Sequence, residues 1–217
     1  MERIFFLSPP RLGGERAAML LNTAARFDLA RRLHSGKPVA IGEVSQFISG
    51  LYFRGKLAYA RRFVAPPKGG RGAYVITPNM GLLHIDELVT LDDLRSFSDV
   101  DIHHEDERYR KPLERDVKKL KRVLPKSCDL VLLGSIGTNK YAAVLTAVFG
   151  ERIKFPIDFV GRGDMSRGGL LLRCAASGSE LAYVSIEGAV RHGKRPPRLE
   201  PKSWANTPYA WSQKPAA

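Results

Sequence analysis

Short apolar runs that stop at clusters of Gly, Ser, Asn or Pro alternate along this chain with longer segments whose apolar residues recur every three or four positions. RIFFLS (residues 3–8) reads as a first strand. GGERAAMLLNTAARFDLARRL (13–33) follows at helical spacing, with Gly13 and Gly14 just ahead of the helix and Glu15 in its first turn. AYVITPN (73–79) is a second strand. YRKPLERDVKKLKRVL (109–124) sets Leu113, Val117, Leu120 and Leu124 on one face of an amphipathic helix whose outer side is basic. CDLVLLGS (128–135) predicts a strand, and TNKYAAVLTAVFG (138–150) a helix closed by Gly150. KFPIDFV (154–160) and ELAYVSI (180–186) complete the strands.

This alternation predicts an α/β fold: a mostly parallel central sheet with helices on both faces, in one domain over residues 1–190. The remainder, 191–217, is a basic, proline-rich tail with Trp204 and Trp211 and no regular pattern. Ligands of such sheets sit at the carboxyl ends of the strands. Four segments therefore matter: SPPRLGGER (8–16), TPNMGLL (77–83), GSIGTNK (134–140) and VGRGDMSRGG (160–169).

Charge sharpens this picture. The chain of 217 residues carries a formal +13, which is the electrostatic footprint of a nucleic-acid partner; a basic enzyme acting on a small anion is the alternative. The charge is uneven: residues 11–62 hold ten basic and three acidic residues, whereas 84–107 hold nine acidic residues against Arg95 alone. Cys128 and Cys174 lie in apolar segments without metal spacing, which favours buried thiols in a reducing compartment. No apolar run reaches the roughly 18 residues of a membrane span, and the apolar part of MERIFFLSPP is too short for a signal peptide. The expectation is a soluble, cytoplasmic protein with no membrane partner.

Each candidate segment has a chemical and a plain reading. In SPPRLGGER, Ser8, Arg11, Gly13, Gly14 and Arg16 either surround an anion at a helix N-terminus or simply turn the chain. GSIGTNK does not satisfy the P-loop pattern; Ser135, Thr138, Asn139 and Lys140 either bond a phosphate or sugar or cap a helix. ISGLYFRGKLAYARRF (48–63) interleaves Tyr52, Phe53 and Tyr59 with Arg54, Lys56, Arg61 and Arg62. Base stacking beside phosphate contacts is one explanation, a helix with a core face the other; Arg54 beside Tyr52 and Phe53 is assigned to binding. His103 and His104 sit in an acidic run, and adjacent side chains diverge, so a solvated surface is expected and no metal site.

VGRGDMSRGG holds four glycines and two arginines around one acid. Arg162 and Arg167 are candidates for phosphate, and they favour the anionic form of Asp164. Asp164 then activates a water or opposes a sugar cation, unless it only pairs with an arginine to shape the loop. Asp158, just upstream, competes for that role. The glycines are expected to let the backbone approach an anion. Lys140 has no apolar setting to make it a nucleophile, so water is favoured over lysine.

Together, SPPRLGGERAAMLLN, LYFRGKLAYA, YVITPNMGLL, LLGSIGTNKY and GRGDMSRGGLLLRC resemble a bacterial family related to the uracil-DNA glycosylase-like α/β proteins and to an accessory domain of archaeal tRNA-guanine transglycosylases. More narrowly, the chain resembles bacterial antiviral DNA glycosylases that remove glucosylated hydroxymethylcytosine from phage DNA. The resemblance spans residues 3–199. The GQDPY and HPSP segments of uracil-DNA glycosylases are missing, so no catalytic residue is carried over. The resemblance implies excision of a modified base from double-stranded DNA through an extruded nucleotide, at a cost of a few kcal/mol of unstacking, without a cofactor. Tyr52 or Phe53 would stack on the base, Asn79 would read its edge, and Asp164 or Asp158 would oppose the oxocarbenium-like sugar. A non-catalytic nucleic-acid-binding module and an enzyme on free nucleosides or nucleotides stay open. Base identity and oligomeric state are not encoded in any recognisable pattern.

Overall fold

A computed structural model of the chain describes residues 1–200; residues 201–217, with Trp204 and Trp211, lie outside the described residues. In chain order the elements are β1 (Arg3–Leu7), α1 (Glu15–Leu21), α2 (Asp28–His34), β2 (Val39–Ala40), α3 (Ile41–Phe63), β3 (Ala73–Ile76), β4 (Leu82–His84) and β5 (Leu88–Val89). There follow α4 (Leu91–Ser98), α5 (Glu107–Val123), β6 (Asp129–Leu133), α6 (Asn139–Phe149), β7 (Ile153–Pro156), α7 (Asp164–Ser177) and β8 (Tyr183–Ser185).

Six strands form one sheet in the order β4-β3-β1-β6-β7-β8. The inner four are parallel and the edges β4 and β8 antiparallel. Beyond their first residues, Arg3 and Asp129, the central strands are apolar because both faces are covered: Ile4 to Leu7 and Leu130 to Leu133 are fully buried. Helix α3 packs on α7 and α1, and α5 packs on α6, so the helices form two groups. The predicted α/β fold with a mostly parallel sheet is what the chain adopts. Cys128 and Cys174 are buried free thiols. No helix among the described residues is long and apolar enough to cross a membrane.

Three expectations differ in detail. The first helical segment divides into α1 and α2, because Asn22 turns the chain by accepting a hydrogen bond from the Ala24 N–H at 2.8 Å. KFPIDFV is a strand only to Pro156, after which residues 157–159 form a single 3₁₀ turn. VGRGDMSRGG is not all loop: α7 begins at Asp164, and Gly168 and Gly169 lie inside it.

Two glycines of this segment, Gly168 and Gly161, are accounted for by packing. A Cβ on Gly55 of α3 would sit 2.5 Å from the Gly168 carbonyl oxygen, and one on Gly168 would sit 2.7 Å from that of Leu51. Only hydrogen fits at either position, so α3 and α7 touch backbone to backbone. Gly161 has φ +74° and lies against the backbone of Lys194, where the tail crosses the loop. A further glycine, Gly50, breaks α3 with φ 54° and ψ −128°; the Arg16 guanidinium fills the break and donates to the Phe47 carbonyl at 3.3 Å.

Neighbouring glycines of α7 should therefore respond oppositely to alanine. Gly168→Ala forces the two helices apart and should cost about 1–3 kcal/mol, roughly 2–10 °C in Tm. At Gly169 an added Cβ meets only Leu199 Cδ1 at 3.5 Å, so Gly169→Ala should stabilise by up to about 1 kcal/mol through helix propensity. Thermal and denaturant unfolding of the two variants checks the sign of each.

Candidate functional site

A cleft of about 1010 Å³ opens at the carboxyl ends of the parallel strands. Its position follows from topology. The chain leaves β1 toward α1 and α3, but leaves the adjacent β6 toward α6, which packs with α5. The loops diverge, and a crevice is left between them. Ser8 to Arg16 form one wall, and Ser135, Lys140 and Tyr141 another. Tyr52 and Lys56 come from α3, and Asp164 and Met165 from the start of α7.

Lys56 is the unforeseen residue. It is 1% exposed, and its Nζ donates to the Ser8 carbonyl at 2.7 Å and to Ser8 Oγ at 2.9 Å. The ammonium lies over the rings of Tyr52 at 4.4 Å and Phe53 at 4.7 Å. Among the described residues it forms no ion pair with a carboxylate. Burial lowers its pKa from 10.5 to about 7; Asp164, from the start of α7, raises it in part and Arg167 lowers it. Ser8 also acts electrostatically on Tyr141, whose hydroxyl accepts from the Ser135 N–H at 3.1 Å. Burial pushes the phenols of Tyr52 and Tyr141 upward, so both stay neutral. The amine had one sequence signal: Lys56 stands four residues after Tyr52, on the stripe that α3 buries through Ile48, Tyr52 and Tyr59.

The other candidates fall into two groups. Ser8, Arg11, Gly13, Gly14, Arg16, Tyr52, Ser135, Lys140 and Asp164 all line the cleft. Asp164 is well exposed, and its one ion pair is with Arg167 at 3.4 Å. Glu15 also lines this wall, from the first turn of α1, so the α1 N-terminus already faces an acid.

The remaining candidates do not line the cleft, and each has a local reason. Phe53 is fully buried in the core and has no face for a base. Arg54 faces a neighbouring pocket of about 480 Å³ beside the stacked rings of Phe27 and Phe47. Asn79 Nδ2 donates to the carbonyl and Oγ of Ser96, both at 3.0 Å. It sits in a tight β3–β4 hairpin in which Thr77 bonds Gly81, and only Pro78 of that segment reaches the cleft. Asn139 Oδ1 accepts from Arg191 of the tail. Arg162 bonds the Asp158 carbonyl at 3.0 Å and Ser166 Oγ at 3.2 Å. Arg167 donates twice to the Phe159 carbonyl, at 3.2 and 3.0 Å, and stacks on the Phe159 ring. Asp158 lies in the 3₁₀ turn and is exposed elsewhere, its charge felt by Cys174 in mid-α7.

The acidic stretch contributes more than a solvated surface: Val100, Asp101 and Ile102, with Phe97 and Ser98 of α4, close the cleft's outer side. The His103 and His104 rings lie 4.7 Å apart and do not diverge. Among the described residues no group of three or more His, Cys, Asp or Glu converges as a metal site. The tail's first residues rest beside the site, with His192 against Gly137 and Lys194 against Gly161. No protein-family model, curated protein or solved structure matches this chain.

The neutral-leaning lysine should be visible in the pH dependence of folding. Between about pH 7 and 10.5 the unfolded chain binds a proton at Lys56 that the folded chain does not, so stability rises with pH there, by up to about 1.4 kcal/mol per unit. Tyrosines that keep their protons when folded, including Tyr59 pushed up to about 12, oppose the rise above roughly pH 10. Denaturant titrations from about pH 7 to 9.5 should show the rise in the wild type and its loss in Lys56→Met. Equal slopes in both proteins would mean that the folded amine stays charged.

Proposed function

We propose that this protein is a DNA glycosylase that hydrolyses the N-glycosidic bond of a modified base and leaves an abasic site. Asp164 carries the assignment: it is an exposed carboxylate held at the start of a helix, on the wall of a cleft that also presents Arg11, Arg16 and Lys140. That combination suits a sugar–phosphate strand whose anomeric carbon becomes positive. The cationic groups hold phosphates at the rim, and the flipped nucleotide enters between Tyr52 and the Phe97–Ile102 wall.

In the reaction the C1′–N bond breaks and the base departs with the bonding pair. Asp164 opposes the charge left on the sugar and accepts a proton from the water whose oxygen adds to C1′. Lys140 and the hydroxyl of Tyr141 are the donors on the opposite wall for the departing base. The basic tail supports a polyanionic substrate, because Arg191 to Lys194 are laid beside the loops after β6 and β7. Resemblance points to hypermodified phage cytosine as the base and to antiviral defence as the setting, in the cytoplasm.

A second reading is favoured by the cleft's own charge: Glu15, Asp101 and Asp164 stand among its four basic side chains, and its volume suits a single nucleotide. Incubation with unmodified DNA, glucosylated hydroxymethylcytosine DNA and free nucleotides separates the two. Mass analysis should find a released base only from the modified DNA, with alkali-labile sites left behind. Asp164→Asn should lower the rate by at least about 100-fold while DNA binding persists. Turnover of free nucleotides unaffected by competitor DNA would replace this proposal with the second reading.

A further inference from the structure

We infer that Lys56 is an amine nucleophile that captures the C1′ aldehyde of an abasic sugar in the cleft, giving the protein a strand-cleaving lyase activity. This rests on the reading of the cleft as a nucleic-acid site, but not on base excision itself. The expectation of water as sole nucleophile came from Lys140, whose ammonium is exposed to solvent. Lys56 is placed differently. It lines the cleft from mid-α3, its Nζ is held by two neutral oxygens of Ser8, and two aromatic rings enclose it.

An apolar side chain would fill this position without the cost of burying an unpaired charge. A functional amine explains the lysine better than packing does. The groups that set its charge are Asp164 and Arg167, both from α7, with neutral Tyr52 on its own helix and Tyr141 reached through Ser8. Burial moves the amine to a pKa of about 7, so a large share of it carries a free electron pair at neutral pH.

The steps balance without an oxidant or reductant. The Nζ lone pair adds to the C1′ aldehyde of the ring-opened sugar, and loss of water gives an imine. Its protonated form acidifies C2′–H, and the Asp164 carboxylate takes that proton. The electron pair forms the C2′=C3′ bond as the 3′-phosphate leaves. Water then hydrolyses the imine and returns the amine.

The test uses the full chain and a duplex in which an abasic site has been made beforehand from uracil. With borohydride the wild type should form a covalent protein–DNA adduct, and without it the strand should be cut 3′ to the site. Trapping should increase severalfold from pH 6 to 8. Peptide mapping of the wild-type adduct should place the reduced sugar on Lys56, which decides the matter even where Lys56→Met fails to fold. A folded Lys56→Met should trap at least 100-fold less. Absence of an adduct, or an adduct mapped to Lys140 or another amine, overturns the inference. The abasic site is supplied in advance, so failure here leaves base excision standing, and failure of excision leaves this result interpretable.

Discussion

Helices α3 and α7 meet backbone to backbone at Gly55 and Gly168, and the geometry of the cleft depends on that contact. Tyr52 and Lys56 flank Gly55 on α3, whereas Asp164 lies one turn before Gly168 on α7. The spacing of carboxylate, amine and aromatic ring is thereby set by the closest separation two helices allow, with no flexible side chain at the crossing. A pair of alanines would move Asp164 outward from the groups it faces. Arg167 reinforces the arrangement by tying the first turn of α7 to the Phe159 carbonyl and to Asp164. Positioning of this kind suits chemistry that is sensitive to displacements of about 1 Å.

The alternation of strands and helices was legible because buried parallel strands are apolar throughout and amphipathic helices are not. RIFFLS and CDLVLLGS became the adjacent central strands β1 and β6, and the loops that follow them do meet. The third loop, after β3, was misjudged. TPNMGLL turns back into an antiparallel edge strand and uses its polar groups for structure: Thr77 bonds Gly81 within the hairpin, and Asn79 bonds Ser96 of α4. Residue type could not reveal this, since a hairpin and a ligand loop use the same Gly, Asn and Thr. Of the glycines of VGRGDMSRGG, Gly168 and Gly161 are sites of close approach, to a helix and to the tail, whereas Gly163 and Gly169 leave room for a side chain. Lys56 was hidden among the arginines of the same helix, of which Arg61 and Arg62 are exposed and Arg54 is half-buried at another pocket.

Net charge also proved a poor guide to individual roles. Arg162, Arg167 and Arg16 were all candidates for phosphate, yet each donates to a backbone carbonyl. Guanidinium groups serve well there because their fixed forks satisfy carbonyls that a broken helix or a tight turn leaves exposed. Of these three only Arg16 also reaches the cleft, where Arg11 and Lys140 are the other rim cations. Much of the remaining excess lies on the outer face of α5 and in the tail, where it adds to the long-range positive field of the protein.

Ser8 links this field to the chemistry. As the residue that follows β1, it is fixed by the sheet through its N–H to the Leu133 carbonyl at 3.2 Å. Its own carbonyl and hydroxyl then hold Lys56, and the hydroxyl also meets Tyr141. A rigid strand end thus orients an amine whose pKa burial lowers to about 7, beside an acid that solvent keeps accessible. In the proposed complex a phosphate strand would add negative potential and favour the charged amine, whereas exclusion of water by the bound sugar would favour the neutral one. These influences oppose each other, so under the proposed lyase chemistry the amine would be most reactive with the sugar filling the cleft and its phosphates at the rim. The arrangement of Arg11, Arg16 and Lys140 outside, with Lys56 recessed behind Tyr52, separates the two effects in space.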